Sequence, residues 1–138
     1  MAQAPNPYPT AQRLPGRIAA LTITTNGARS DDVSGDETAA SCAEFRLRPR
    51  DVWAYFAATL PVDARAYHHD LEMSRCRAGG AIRLRNGERG QWSIDRERRG
   101  LVMLEDGRPF YLYCPRCTAK VYEPVYDPDH DSPPGRTR

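Results

Sequence analysis

The sequence predicts one α+β domain, in which a single amphipathic helix packs on an antiparallel β-meander of about four strands. Apolar residues at helical spacing precede Pro61, and apolar residues alternate with charged ones over much of the second half of the chain. Asn-Gly and Asp-Gly dipeptides, which are strong signals for hairpin turns, separate the alternating runs. The chain has 138 residues, of which 40% are hydrophobic and 28% charged, so it suits one compact domain with a charged surface.

The N-terminal part, residues 1–41, is predicted to be a flexible arm followed by an acidic linker. Four prolines lie within the first 16 residues, and no apolar periodicity accompanies them. Residues 18–25, "IAALTITT", are rich in β-branched residues and end at an Asn-Gly turn signal, which makes them a candidate strand. The next block, "ARSDDVSGDETAAS", is small, polar and acidic, as linkers are. We therefore place the single domain at 42–126 and a mobile tail at 127–138.

The predicted helix covers residues 49–60. Pro49 is acceptable in a first helical turn, where its missing N–H would be unpaired anyway. Asp51 then lies in the same turn, where its negative charge is favourable against the helix dipole. Pro61 ends the run. The face predicted to be buried consists of Val52, Trp53, Phe56, Thr59 and Leu60.

The strands are predicted from alternation. "YHHDLEMSRC" suggests a first strand through Leu71 and Met73, which a Gly-Gly pair links onward. In "AIRLRNGERGQWSID", Asn86-Gly87 forms the hairpin turn. In "GLVMLEDGRPFYLYC", Asp-Gly plays the same part. Alternation predicts that one set of side chains lies in the core: Ile82, Leu84, Phe110, Leu112 and Cys114. The opposite set is predicted to point outward: Arg83, Arg85, Tyr111 and Tyr113.

Four cysteines, Cys42, Cys76, Cys114 and Cys117, admit three interpretations. "CPRC" resembles the knuckle of zinc ribbons and rubredoxin-like sites, but Thr118 stands where such knuckles usually have glycine, and a second Cys-x-x-Cys is missing. A redox site needs an activated thiolate, and the "TAKVYEPVY" that follows is a weak helix former. The favoured interpretation is two structural disulfides, because the number of cysteines is even in a small chain. We expect them to join Cys42 and Cys76 to the pair at 114 and 117.

Disulfides predict an oxidising location. The small-residue start "AQAP" is typical of chains that follow a cleaved signal, so we expect an exported or periplasmic protein, with the cytoplasm as the alternative. No stretch approaches the roughly 20 apolar residues of a membrane helix, so no membrane span is expected.

No motif predicts catalysis. His68, His69 and Asp70 are adjacent, but acid–base chemistry also requires a positioned nucleophile or a second carboxylate, and the sequence singles out none. On a strand the two histidines would point to opposite faces and could not easily bind one metal ion together. We therefore predict that His68, His69 and Asp70 are exposed loop residues. We predict no enzyme activity, no catalytic residue, no metal and no cofactor.

The arginines indicate a binding face. Eight of them lie between residues 75 and 99. Arginine and aromatic side chains are typical interface anchors. The predicted contacts with a protein partner are Arg83, Arg85, Trp92, Tyr111 and Tyr113, with the core as the alternative position of Trp92. A solvated face balanced by nearby acids is the competing interpretation; these acids are Glu88, Asp95 and Glu97. Nucleic acid is disfavoured, since a net charge of +2 and a pI near 8.4 fall below the usual footprint of such proteins.

Three segments, "AYHHDLEMSRCRAGG", "GQWSIDRERRG" and "YLYCPRC", resemble small exported or lipoprotein-like domains of proteobacteria. Some of those domains are similar to immunity proteins encoded beside secreted toxins. The resemblance covers roughly residues 42 to 122 and implies a non-catalytic protein that binds and neutralises such a toxin. The competing class is a zinc-stabilised cytoplasmic module that binds nucleic acid or regulates another protein.

Overall fold

The computed structural model describes residues 11–124. They form one six-stranded antiparallel sheet with the strand order β1-β3-β4-β5-β6-β2. The strands are β1 (Ile18–Arg29), β2 (Leu60–Val62), β3 (Cys76–Leu84), β4 (Arg89–Asp95), β5 (Arg99–Leu104) and β6 (Pro109–Tyr113). Two α-helices, α1 (Ala39–Ala43) and α2 (Pro49–Ala58), a π-helical turn (Ala66–Asp70) and a 3₁₀ turn (Lys120–Tyr122) complete the described part. The α+β class is confirmed, but the sheet has six strands and not about four.

Helix α2 begins at Pro49, as predicted. The Asp51 carboxylate accepts the backbone N–H of Arg48 at 2.8 Å, which caps the first turn. The helix ends at Ala58, two residues earlier than predicted. The predicted buried face was wrong at two positions, because Trp53 is 43% and Leu60 41% exposed, whereas Tyr55 is fully buried. The apolar pattern of a ten-residue helix defines the direction of its buried face only to within about one residue. Packing against the sheet turns the helix so that Tyr55 is buried.

The meander β3 to β6 is confirmed. Each strand pairs with the next, and the two predicted hairpin turns lie where the dipeptides predict them. Gly87 and Gly107 have φ values of 95° and 92°, a left-handed region that side chains with a Cβ rarely adopt.

Two further strands flank the meander. β1 pairs with β3, and it continues past the Asn26-Gly27 signal because the chain forms a bulge there, with Gly27 at φ 58°. The Asn26 side chain meanwhile bonds both the N–H and the carbonyl of Leu47, at 2.9 and 2.8 Å. The short β2 follows α2 and pairs with β6. Neither pairing has a local signal, since the partners lie far apart in sequence.

The strand predicted through Leu71 and Met73 was wrong. The chain makes a π-helical turn, in which the N–H of Leu71 bonds the carbonyl of Ala66 at 2.9 Å, and then runs irregularly to Cys76. Side-chain carboxylates occupy the place of a strand partner here. Those of Asp95 and Glu37 accept the N–H groups of residues 74 and 75.

Trp92 belongs to the core and not to the partner face. It is 2% exposed, lies 6.3 Å from the ring of Phe56, and donates its indole N–H to the carbonyl of Thr22 at 3.0 Å. Its cross-strand neighbour is Gly80, where a Cβ would collide with that same carbonyl. The glycine therefore lets β1 approach closely enough to accept the indole hydrogen bond.

Both disulfides form, but the predicted connectivity was wrong. Cys42 bonds Cys76, with Cα atoms 4.6 Å apart, because α1 packs beside β1 and β3. Cys114 bonds Cys117 across a turn in which the N–H of Cys117 also reaches the carbonyl of Cys114. No cysteine remains free. Two disulfides favour an oxidising location, and none of the helices within residues 11–124 has the length and apolar character for a membrane crossing.

Candidate functional site on the open face of the sheet

The two faces of the sheet differ in what covers them. α2 packs on the face that carries Trp92 and Gly100, where Tyr55 fills the space left by the missing Cβ. Neighbouring residues such as Ser93 and Leu101 point the opposite way, because side chains alternate along a strand. We call that opposite side the open face.

A groove runs along the open face. It consists of three adjoining cavities of about 360, 170 and 480 Å³. The first two share Gln91, and the last two share Arg77, Ser93 and Leu101. Small side chains on β1, β3 and β4 keep the groove open: Ala20, Thr22, Thr25, Gly79, Ala81 and Ser93.

Three arginines line the groove without a charge partner. Arg77, Arg83 and Arg89 form no ion pair with any residue in the described part of the chain. Arg83 and Arg89 are also directly opposite each other in the β3–β4 register. Like charges in that position destabilise a sheet. A negatively charged partner on this face would remove the repulsion.

Apolar side chains adjoin these arginines. Met103 is 40% exposed and pairs with Gln91, which shares a face with Arg89 two residues away. Met73, at the far end of the groove, is 38% exposed. Methionine is flexible and adapts to irregular apolar surfaces. The groove therefore offers both positive charge and apolar contact area.

A buried ion pair forms the floor of the largest cavity. Arg99 donates its Nε–H to Asp95 Oδ2 at 2.9 Å, and both residues are at most 7% exposed. Arg99 also lies 4.2 Å from the ring centre of Tyr67 and donates to its carbonyl at 2.7 Å. These contacts fix the Ala66–Asp70 turn over one end of the open face. Each charged group of the floor thus has several partners, an arrangement that favours one fixed geometry.

Burial raises the pKa of the Asp95 carboxyl to about 6, although the charge and hydrogen bonds of Arg99 oppose that shift. We expect carbon-detected NMR to find one aspartate that titrates near pH 6 in the folded protein, and Asp95→Asn to remove that titration. Because the folded pKa exceeds the unfolded value, this carboxyl contributes stability below about pH 4 and loses it as the pH rises through 6. A midpoint below pH 4 for Asp95 would contradict this prediction.

A second ion pair buries Arg96, another of the eight arginines between residues 75 and 99. Arg96 is 4% exposed and contacts the Glu37 carboxylate at 3.3 Å and the Ser41 carbonyl at 2.6 Å. Glu37 in turn accepts from the hydroxyl of Ser74 at 2.7 Å. The linker that the sequence predicts thus carries a carboxylate that ties the β4–β5 turn to the segment before β3.

The structure does not bring the five predicted contacts together. Arg83 lies in the groove, and Arg85 is exposed in the turn that follows β3. Tyr113 is at the opposite end of the sheet, about 25 Å from Arg83 by strand spacing and rise. Tyr111 is partly covered, since its ring lies 5.0 Å from that of Tyr67. Because Trp92 lies in the core, only Arg83 and Arg85 of the five predicted contacts remain together at one exposed end of the sheet.

Arg77 and Arg89 are the groove residues that sequence reasoning missed. The alternation that places Arg83 outside also places these two outside, so the signal was present. It was obscured because eight arginines share the segment and sequence alone does not separate the buried Arg96 and Arg99 from the free ones.

His68, His69 and Asp70 are exposed, as predicted, but they lie on the π-helical turn and not on a strand or loop. The His68 ring is 5.4 Å from that of Tyr111 and lines the largest cavity. Within residues 11–124, no three histidine, cysteine or acidic side chains are grouped so that they could hold a metal ion.

The groove therefore presents arginine side chains and apolar contact area to solvent. No family model, no curated protein and no solved structure matches this chain.

Proposed function

We propose that the protein is a non-catalytic protein-binding module whose open-face groove docks an acidic protein partner. The observation that carries the proposal is the pair Arg83 and Arg89, directly opposite each other and without a carboxylate partner in the described part of the chain. A partner carboxylate between the two guanidinium groups would replace repulsion by charge-assisted hydrogen bonds.

The surroundings favour a protein over a nucleic acid as this partner. Exposed Met103 and the apolar side chain of Leu101 offer contact area that a phosphate backbone does not use. Glu105 and Asp32 line the two ends of the groove, where they would repel a continuous row of phosphates. The net charge of +2 is also small for a nucleic-acid protein.

In its finer form, the proposal is that of a periplasmic immunity protein that neutralises a toxin encoded nearby. The support is the resemblance of three sequence segments to such domains, together with the two disulfides, which suit an oxidising compartment. A toxin partner would present an acidic loop with an apolar side chain to the groove.

Charge reversal tests the groove. With a partner identified among the products of adjacent genes, Arg83→Glu combined with Arg89→Glu is expected to raise the Kd by about 30-fold or more, corresponding to roughly 2 kcal/mol. The loss should come largely from slower association at low salt, because the affected charges steer the encounter. Biolayer interferometry at two salt concentrations measures both.

The matched control is Arg46→Glu combined with Arg50→Glu, which makes the same change of charge at two exposed arginines, one before α2 and one in its first turn. Its Kd should stay within about twofold of the parent value, since exposed changes away from an interface have small effects. Equal losses in the two double variants would contradict docking in the groove.

A mobility-shift assay with DNA and RNA is run in parallel. Tight binding to any DNA or RNA that weakens steeply with salt, without a protein partner, would replace the proposal by the nucleic-acid alternative.

A further inference from the structure

The two disulfides differ in their surroundings, and we propose that Cys114–Cys117 is a thiol–disulfide exchange site, whereas Cys42–Cys76 is purely structural. The reductant that it takes is a protein or small molecule with two thiols. The proposal stands apart from the groove and does not depend on it.

Access distinguishes the pairs first. Cys42, Cys76 and Cys114 are all 0% exposed, whereas Cys117 is half-buried. Its neighbours Arg116 and Thr118 are exposed, so part of Cys117 faces solvent, and we expect a thiolate to reach its sulfur from that side. Exchange proceeds by direct attack on a sulfur, and its rate depends on that access. The Cys42–Cys76 bond can be attacked only after the surrounding core opens.

Charge distinguishes them second. Arg116 lies between the two cysteines, and Lys120, the only lysine of the chain, follows shortly after. Both are exposed, and neither forms an ion pair with a described residue. Neighbouring cations attract an incoming thiolate. The Cys42–Cys76 bond lies instead beside the Glu37 carboxylate, whose Oε2 is 3.4 Å from Cys76 Sγ and would repel a thiolate.

The fold tolerates opening of this pair. Cys114 donates its N–H to the carbonyl of Arg98 at 3.1 Å, which holds the end of β6 independently of the sulfur bond. Downstream, the Tyr122 ring lies 5.8 Å from that of Phe45 and anchors the chain to the core. Reduction therefore frees only the turn between these two anchors.

The exchange transfers two electrons. One thiolate of the dithiol reductant attacks Cys117 Sγ and forms a mixed disulfide, while the bond to Cys114 breaks. Cys114 Sγ leaves with the electron pair as a thiolate and takes up a proton. The second thiol of the reductant loses its proton and attacks the mixed disulfide at the reductant's own sulfur. Cys117 then leaves as a thiolate, and the reductant becomes a disulfide.

Differential alkylation tests the proposal within one molecule. The folded protein is exposed to dithiothreitol at pH 7, quenched with acid at intervals, and labelled with one alkylating reagent before and an isotopic form after full reduction. Mass spectrometry of peptides then gives the rate for each pair. We expect Cys114 and Cys117 to open at least ten times faster than Cys42 and Cys76, with an unchanged circular dichroism spectrum. Equal rates, or no opening of either pair before unfolding, would overturn the proposal.

A charge variant separates an exchange site from a merely accessible bond. Arg116→Glu combined with Lys120→Glu is expected to slow the opening of Cys114–Cys117 at least fivefold, because the incoming thiolate is then repelled. Arg46→Glu combined with Arg50→Glu is the matched control and should leave the rate unchanged. A rate that is equal in both double variants would also overturn the proposal.

Discussion

Replacing Cys42 and Cys76 together by alanine is expected to lower the free energy of unfolding by about 4 kcal/mol, the chain-entropy value for a loop that closes over 34 residues. The bond joins α1 to β3, so its loss also frees the long connection between β1 and α2 to move away from the sheet. Urea unfolding followed by tryptophan fluorescence measures the change, since the buried Trp92 reports on the core.

The other disulfide is the control for this prediction. Replacing Cys114 and Cys117 by alanine opens a ring with a sequence separation of only 3, so the expected loss is about 2 kcal/mol or less. A larger loss for this pair than for Cys42 and Cys76 would show that the two bonds have the reverse roles.

Arg99→Ala is expected to lower the free energy of unfolding by about 3 to 5 kcal/mol at pH 8, the usual cost of leaving one member of a buried ion pair without its partner. Asp95 would remain in the sheet with its charge uncompensated, and the contact of Arg99 with Tyr67 would also disappear. The loss should be smaller at pH 5, because the raised pKa of Asp95 lets the carboxyl become neutral there.

Arg85→Ala is the control for this experiment. Arg85 is exposed and has no ion pair with a described residue, so its removal should change stability by about 0.5 kcal/mol or less. A similarly small effect of Arg99→Ala, or an effect independent of pH, would refute the structural role of the pair.

Local patterns carried most of the fold prediction. The hairpin glycines Gly87 and Gly107, the cap made by Asp51, and the alternation in β3 and β6 each depend on neighbours within a few residues, so they are readable from the sequence. Nothing local could show that β1 pairs with β3 or that β2 pairs with β6, because those partners are brought together only when the sheet assembles.

The sequence predicted only part of the candidate site, for the same reason. Alternation places Arg83 outside, yet whether an arginine is free depends on which carboxylate reaches it through space. Arg96 forms an ion pair with Glu37, which is 59 residues away in the chain, whereas Arg83 forms no ion pair with a described residue. Rotation of α2 likewise decided that Tyr55 and not Trp53 is buried.

By itself, the sequence determined the α+β class, the meander with its two hairpin turns, and the expectation of two disulfides, since these follow from short-range periodicity, turn chemistry and an even number of cysteines. Only the tertiary structure decided that Cys42 meets Cys76 and that Trp92 lies in the core. It also decided that Arg83 and Arg89, which have no ion pair with a described residue, line a groove. Each of these depends on contacts between segments distant in the chain, which form because the packed sheet buries the most apolar surface in one particular arrangement.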